Sequence, residues 1–172
     1  MLDRLARAYV VLLLGLGVLT LLSGLVLHAF SFFTSGRTIT FCAEAYFKAV
    51  IVVILPAFAF MKDGLRWKDQ VKSCPEWMWK AALGLWAYGF VVFILKVVFP
   101  AAPSPIGDPM VVSSFPLGFD AITICILYAA FGRRWLNEAE LKRAAAISVV
   151  IIGVELAIFG GFLPAHVPGV AR

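Results

Sequence analysis

Residues 9–33 read YVVLLLGLGVLTLLSGLVLHAFSFF, with no Asp, Glu, Lys or Arg among them. A helix needs roughly 20 mostly apolar residues to cross the hydrocarbon core of a bilayer. This run is therefore long enough to span. It is too long for the apolar core of a cleaved signal, and no small-x-small cleavage pattern follows it. With Arg4 and Arg7 ahead of it, it reads as a retained anchor.

Four more runs repeat the pattern at 41–61, 77–99, 115–131 and 144–163. The chain as a whole agrees with them. Of its 172 residues, 62% are hydrophobic and 15% charged, against about 25% charged in a soluble domain. Mean hydropathy is +0.96. The expected fold class is an all-α membrane protein, a bundle of five transmembrane helices forming one integral membrane domain over residues 1–172. Nucleic acid is not an expected partner. The net charge of +5 is scattered over short connecting segments, where topology explains it.

Orientation follows from Lys and Arg. Eleven basic residues lie on one side: Arg4, Arg7, Lys62, Arg66, Lys68, Lys72, Lys80, Arg133, Arg134, Lys142 and Arg143. The other side has Arg37 and Arg172. The positive-inside bias puts the N-terminus in the cytoplasm and the C-terminus outside. Trp67, Trp77, Trp79 and Trp135 fall near the same cytoplasmic edge, as an interfacial belt does. The expected location is a bacterial cytoplasmic membrane.

Helix ends carry their own signals. Asp3 is placed to cap the first helix. Ser73-Cys-Pro-Glu76 and Asn137-Glu-Ala-Glu140 read as capping boxes before the third and fifth helices. Ser114 and Pro116 mark the expected start of the fourth, and Gly160-Gly161 with Pro164 the end of the fifth. Pro56 falls inside the second, where it removes a backbone donor. Cys42, Cys74 and Cys125 fall at different depths in this assignment, which argues against a disulfide.

Inside VELAIFGGFLP, residues 154–164, sits Glu155. A carboxylate at membrane depth costs a few kcal/mol on insertion scales, about 2.5–3.5 at a helix centre. It must be protonated, paired or beside water. Five other ionisable residues share the spans: His28, Glu44, Lys48, Lys96 and Asp120. At ~1.5 Å per residue, His28, Glu44, Lys96 and Asp120 lie about 5–8 Å in from the outer ends, Lys48 about 10 Å and Glu155 about 12 Å. All six are the candidate binding or ion-pathway residues, forming one layer in the outer half. The expected pairing is Glu155 with Lys48 or Lys96, with Asp120 nearby.

Each position also has a plainer explanation. Lys96 can snorkel outward. Glu44 and Asp120 suit the first turn of a helix. Glu44 and Lys48 can neutralise each other at i, i+4. Glu155 is too deep and its stem too short for any of these. Small and polar residues add seams: Gly17, Thr20, Gly24 and His28 share a face, as do Ala82, Gly89 and Lys96, and Ser148 and Glu155.

Catalytic motifs are wanting. There is no HExxH, GxSxG or Walker loop, and no CxxC. Haem held by His28 and His166 is the one cofactor that the residue types admit, on weak grounds. Three functions follow in order: a transport or ion/proton-pathway component, a non-catalytic accessory or assembly subunit of a larger membrane complex, and a membrane enzyme acting near the outer leaflet. The first two imply a homo-oligomer or a partner membrane subunit, with the bilayer itself as the remaining partner.

Overall fold

The structure, a computed structural model, describes residues 2–33, 37–61, 69, 72–99, 108–132 and 136–160. The side chain of Asp3, most of the basic residues of the connecting segments, the 101–107 segment, and Gly161, Pro164, His166 and Arg172 lie outside the described residues. Five helices follow in order: α1 (Leu2–Phe33), α2 (Arg37–Phe58), α3 (Glu76–Val98), α4 (Pro109–Gly132) and α5 (Glu138–Gly160). No strand occurs among the described residues.

Four of the five, α1 to α4, are long and apolar enough to cross a membrane. Their outward faces carry side chains that water would not tolerate in such number, among them Leu12, Leu19, Phe33, Val91, Leu95 and Phe99. α5 is 23 residues long and carries Lys142, Arg143 and Glu155, which keep its described residues out of that set.

The ends show where local chemistry decides. The Asn137–Glu140 box forms in both directions. Glu140 N–H donates to Asn137 Oδ1 at 2.9 Å, and Asn137 N–H to Glu140 Oε2 at 2.9 Å. The box expected at Ser73–Glu76 is not seen among the described residues. Pro75 takes the N-cap position of α3 without a side-chain cap bond, and Glu76 pairs with Lys80 one turn on. α2 tightens as it ends, with Ala59, Phe60 and Met61 each bonding the carbonyl three residues back. Cys74 and Cys125, expected at different depths, meet: the Cys74 thiol donates to the Cys125 carbonyl at 3.1 Å. The two form no disulfide.

The largest departure is in α4. It begins at Pro109, six residues before the expected Phe115. Asp108 is the cause. Its Oδ1 accepts the Met110 N–H at 2.9 Å, and Pro109 fits the first helical position, where no N–H is needed. Ser114 is therefore not the cap, and Pro116 lies within the helix. Ser113 and Ser114 turn their hydroxyls back on the carbonyls of Met110 and Val111, so neither polar group is stranded.

α4 is the axis of the bundle. It packs against α1, α2 and α3, while α5 packs against α1 and α2. Its apolar window is 72% buried against 17–33% for the other three spans. At one end the core is Val10, Leu13, Phe60, Cys125, Leu127 and Leu141. Farther along, Tyr46, Val50 and Leu117 form a second cluster.

Candidate functional site

Asp120 sits midway along α4 and has no solvent exposure. Its place was expected one turn inside the helix, at 5–8 Å depth. The earlier start of α4 moves it to mid-helix, eleven residues or about 16 Å from Pro109. Thr20, itself midway along α1, holds one carboxyl oxygen: Oγ1 to Oδ2 is 2.8 Å. The other, Oδ1, has no hydrogen-bond partner among the described residues. Gly17 lies beside this oxygen. A Cβ there would stand 3.9 Å from that oxygen and 3.2 Å from Ile124.

Proton bookkeeping at this centre is informative. Thr20 Oγ1 also lies 2.9 Å from the Gly17 carbonyl. A threonine has one hydroxyl hydrogen and here faces two acceptors. A proton on Asp120 Oδ2 would satisfy all three atoms at once, with Asp120 donating to Thr20 and Thr20 donating to Gly17. The arrangement thus has a defined place for one extra proton. Tyr46 closes the centre from α2. Its ring tip occupies the space that a side chain on Gly24 would fill. Its hydroxyl, close enough to feel the charge of Asp120, is also without a hydrogen-bond partner among the described residues.

A second polar cluster lies eight residues farther along α1, about 12 Å by helical rise. His28 Nδ1 is 2.9 Å from Ser113 Oγ, and Nε2 is 2.6 Å from the Tyr88 hydroxyl. Ser113 donates onward to the Met110 carbonyl. A neutral histidine with its hydrogen on Nδ1 closes this chain without conflict, Tyr88 donating to Nε2. Both ring nitrogens are thus engaged, so His28 has none to offer a haem iron. Its expected partner His166 is outside the described residues. Toward the other end of α1, the Tyr9 hydroxyl meets Ser148 Oγ at 2.8 Å.

Glu155 is 4% exposed, and neither of its oxygens has a hydrogen-bond partner among the described residues. It lies within electrostatic reach of the Tyr9 hydroxyl, and no ion pair joins it to a lysine among the described residues. The pairing expected from the sequence is not found among the described residues: Lys96 is taken by Asp108, and Lys48 lies exposed on α2. Lys96 Nζ bonds Asp108 Oδ2 at 2.8 Å, so it neither snorkels unpaired nor reaches Glu155. Lys48 and Glu44 are exposed and flank a cleft between α2, α3 and α4. No ion pair between them is formed among the described residues, although they stand at i, i+4.

The six candidates therefore do not form one layer. His28 belongs to a cluster with Ser113 and Tyr88, Asp120 to one with Thr20 and Tyr46, Lys96 to the α3–α4 connection, Glu44 and Lys48 to the cleft, and Glu155 to the α5 seam. Nor do Glu155, Asp120 and His28 converge as an acid–base set. Among the described residues no three His, Cys, Asp or Glu side chains gather as metal ligands. Tyr46, Tyr88, Ser113 and Asp108 went unnoticed in the sequence. Asp-Pro at 108–109 is the one legible signal among them, a capping residue followed by a first-turn proline. No family model, curated protein or solved structure matches the chain.

Proposed function

We propose that the chain is a transport component whose Asp120 carries a proton or small cation across the middle of the membrane. In this reading it has five spans, with α5 completing the bundle, its N-terminus in the cytoplasm and its C-terminus outside. A bacterial cytoplasmic membrane suits the asymmetry of its basic residues. The observation that carries the reading is the fully buried, mid-helix Asp120, with one oxygen on Thr20 and the other without a hydrogen-bond partner among the described residues. Ionisable side chains at such depth are expensive and mark ion or proton routes.

Three polar levels line the inward side of α1: Tyr9 with Ser148, Thr20 with Asp120, and His28 with Ser113. They stand about 16 and 12 Å apart along the helix, too far for direct proton transfer, so water has to enter between them during transport. Five helices are few for a complete carrier, so the working unit is an oligomer or includes a partner subunit.

The test is flux into proteoliposomes holding a pH-reporting dye under an imposed potential. Proton entry should fall at least tenfold in Asp120→Asn, which keeps the size and the Thr20 contact. Wild-type flux at protein-free background, or an Asp120→Asn variant at the wild-type rate, refutes the reading. A second reading, an accessory subunit, draws on the outward face of α3. Its span is only 17% buried and carries the stacked pair Trp86 and Phe90. A partner co-purifying in fixed ratio, without flux, would favour it.

A further inference from the structure

Lys48 poses a problem that the ion-pathway reading leaves unsolved. It lies midway along the 22-residue α2, yet it is exposed and not buried in the bundle. Counted from Ile39, where the apolar span begins, Lys48 is about 14 Å deep and Glu44 about 8 Å deep at 1.5 Å per residue. A bare cation facing hydrocarbon there costs about 2.5–3.5 kcal/mol on insertion scales. The two side chains lie one turn apart on one face, and side chains on a helix lean toward its N-terminus. Lys48 thus leans toward Glu44, but the two are not bonded to each other.

Between them and α3 and α4 opens a cleft of about 370 Å³. Its walls are Phe47, Phe93, Val111, Val112 and Phe115, and among the described residues its charged lining groups are Glu44 and Lys48. That volume falls at the small end of ordinary ligand sites. The order of charges is informative: acid nearer the membrane surface, base deeper, aromatic and aliphatic walls beside both. A phospholipid with an ammonium headgroup presents the complement. Its ammonium is outermost, its phosphate lies deeper, and its acyl chains follow. An anionic lipid without the ammonium would set its headgroup against Glu44. An uncharged amphiphile would leave Lys48 bare.

We propose that this cleft binds a zwitterionic, ammonium-bearing phospholipid from the outer leaflet. Glu44 holds the ammonium, Lys48, its stem leaning outward, holds the phosphate, and Phe47, Phe93 and Phe115 wall the cleft beside the headgroup. The proposal rests on the membrane placement and on the orientation given above, not on ion movement, and its test reads no flux.

The experiment is native mass spectrometry of the full chain in mild detergent, titrated separately with dioleoyl phosphatidylethanolamine, dioleoyl phosphatidylglycerol and dioleoylglycerol. One phosphatidylethanolamine should be retained, at least fivefold more readily than either competitor. Lys48→Gln should lower that retention at least fivefold. Glu44→Gln should remove the preference over phosphatidylglycerol. Both side chains are exposed, so unchanged helical circular dichroism should accompany these losses. Equal retention of phosphatidylglycerol by the wild type overturns the proposal, as does an indifferent Lys48→Gln variant. So does a lipid-free protein whose Phe47→Cys variant cross-links to a second copy or a partner chain across the cleft.

Discussion

Lys96, in the last turn of α3, and Asp108, capping α4, meet at 2.8 Å. One oxygen of Asp108 takes the ammonium and the other takes the Met110 N–H. A single carboxylate thus starts one helix and ties it to the end of the previous one. Asp108→Ala removes both functions and should lower stability by about 1–2 kcal/mol, the sum of a cap and a partly exposed pair. Asp108→Asn keeps the cap and should lose about half as much. Thermal unfolding in detergent measures both. A Lys96→Met, Asp108→Asn cycle should return a coupling of roughly 0.5–1 kcal/mol, and zero coupling would mean that the pair is idle.

Thr20→Val deletes the one hydrogen bond made to the Asp120 side chain among the described residues and leaves a buried carboxyl without it. The expected loss is about 1–3 kcal/mol. Thr20→Ser keeps the hydroxyl and should recover most of it. If valine and serine melt alike, the contact between α1 and α4 does not depend on this bond.

α3 and α4 approach at glycine. A Cβ on Gly118 would collide with the Trp86 backbone, and one on Gly89 would stand 2.7 Å from the Ser114 carbonyl oxygen. Backbone cannot yield as a side-chain tip can. Gly118→Ala should cost about 1–3 kcal/mol. Gly84→Ala and Gly153→Ala face open space and should be neutral or gain up to about 1 kcal/mol of helix propensity. The same melting experiment compares all three.

Thiol labelling reads both packing and orientation. Cys42 is exposed near the start of α2, and Cys74 and Cys125 are buried. A maleimide should modify Cys42 in the folded protein and the other two only after unfolding. A membrane-impermeant maleimide applied to intact cells should label Cys42 from outside. Labelling that requires permeabilisation would reverse the proposed orientation.

Helix count, the all-helical class and the inward face of α1 were legible because long apolar runs and the spacing of small residues follow simple rules. The small-and-polar face Gly17, Thr20, Gly24 and His28 is buried throughout, as its spacing suggested. Pairings were much harder to read. Lys96 looked free to snorkel until Asp108, seven residues ahead of the expected helix start, proved to be a helix cap. Asp120 was placed too near the surface for the same reason, since a depth counted from the wrong helix start shifts every residue in it. Tyr46 and Tyr88 gave no signal at all. Aromatic side chains suit lipid, interface and interior equally, and only packing distinguishes a tyrosine beside a carboxyl from one in the belt.

The central position of α4 has a consequence for how this sequence can drift. Substitutions on the outer surface of α3 exchange one oily group for another and should accumulate freely. A comparable change in α4 must be accommodated by three neighbours at once. Related chains, when compared, should therefore differ most at Leu83, Val91, Leu95 and Val98, and least along the stretch from Ser113 to Ala130, where a change on one helix calls for a matching change on another.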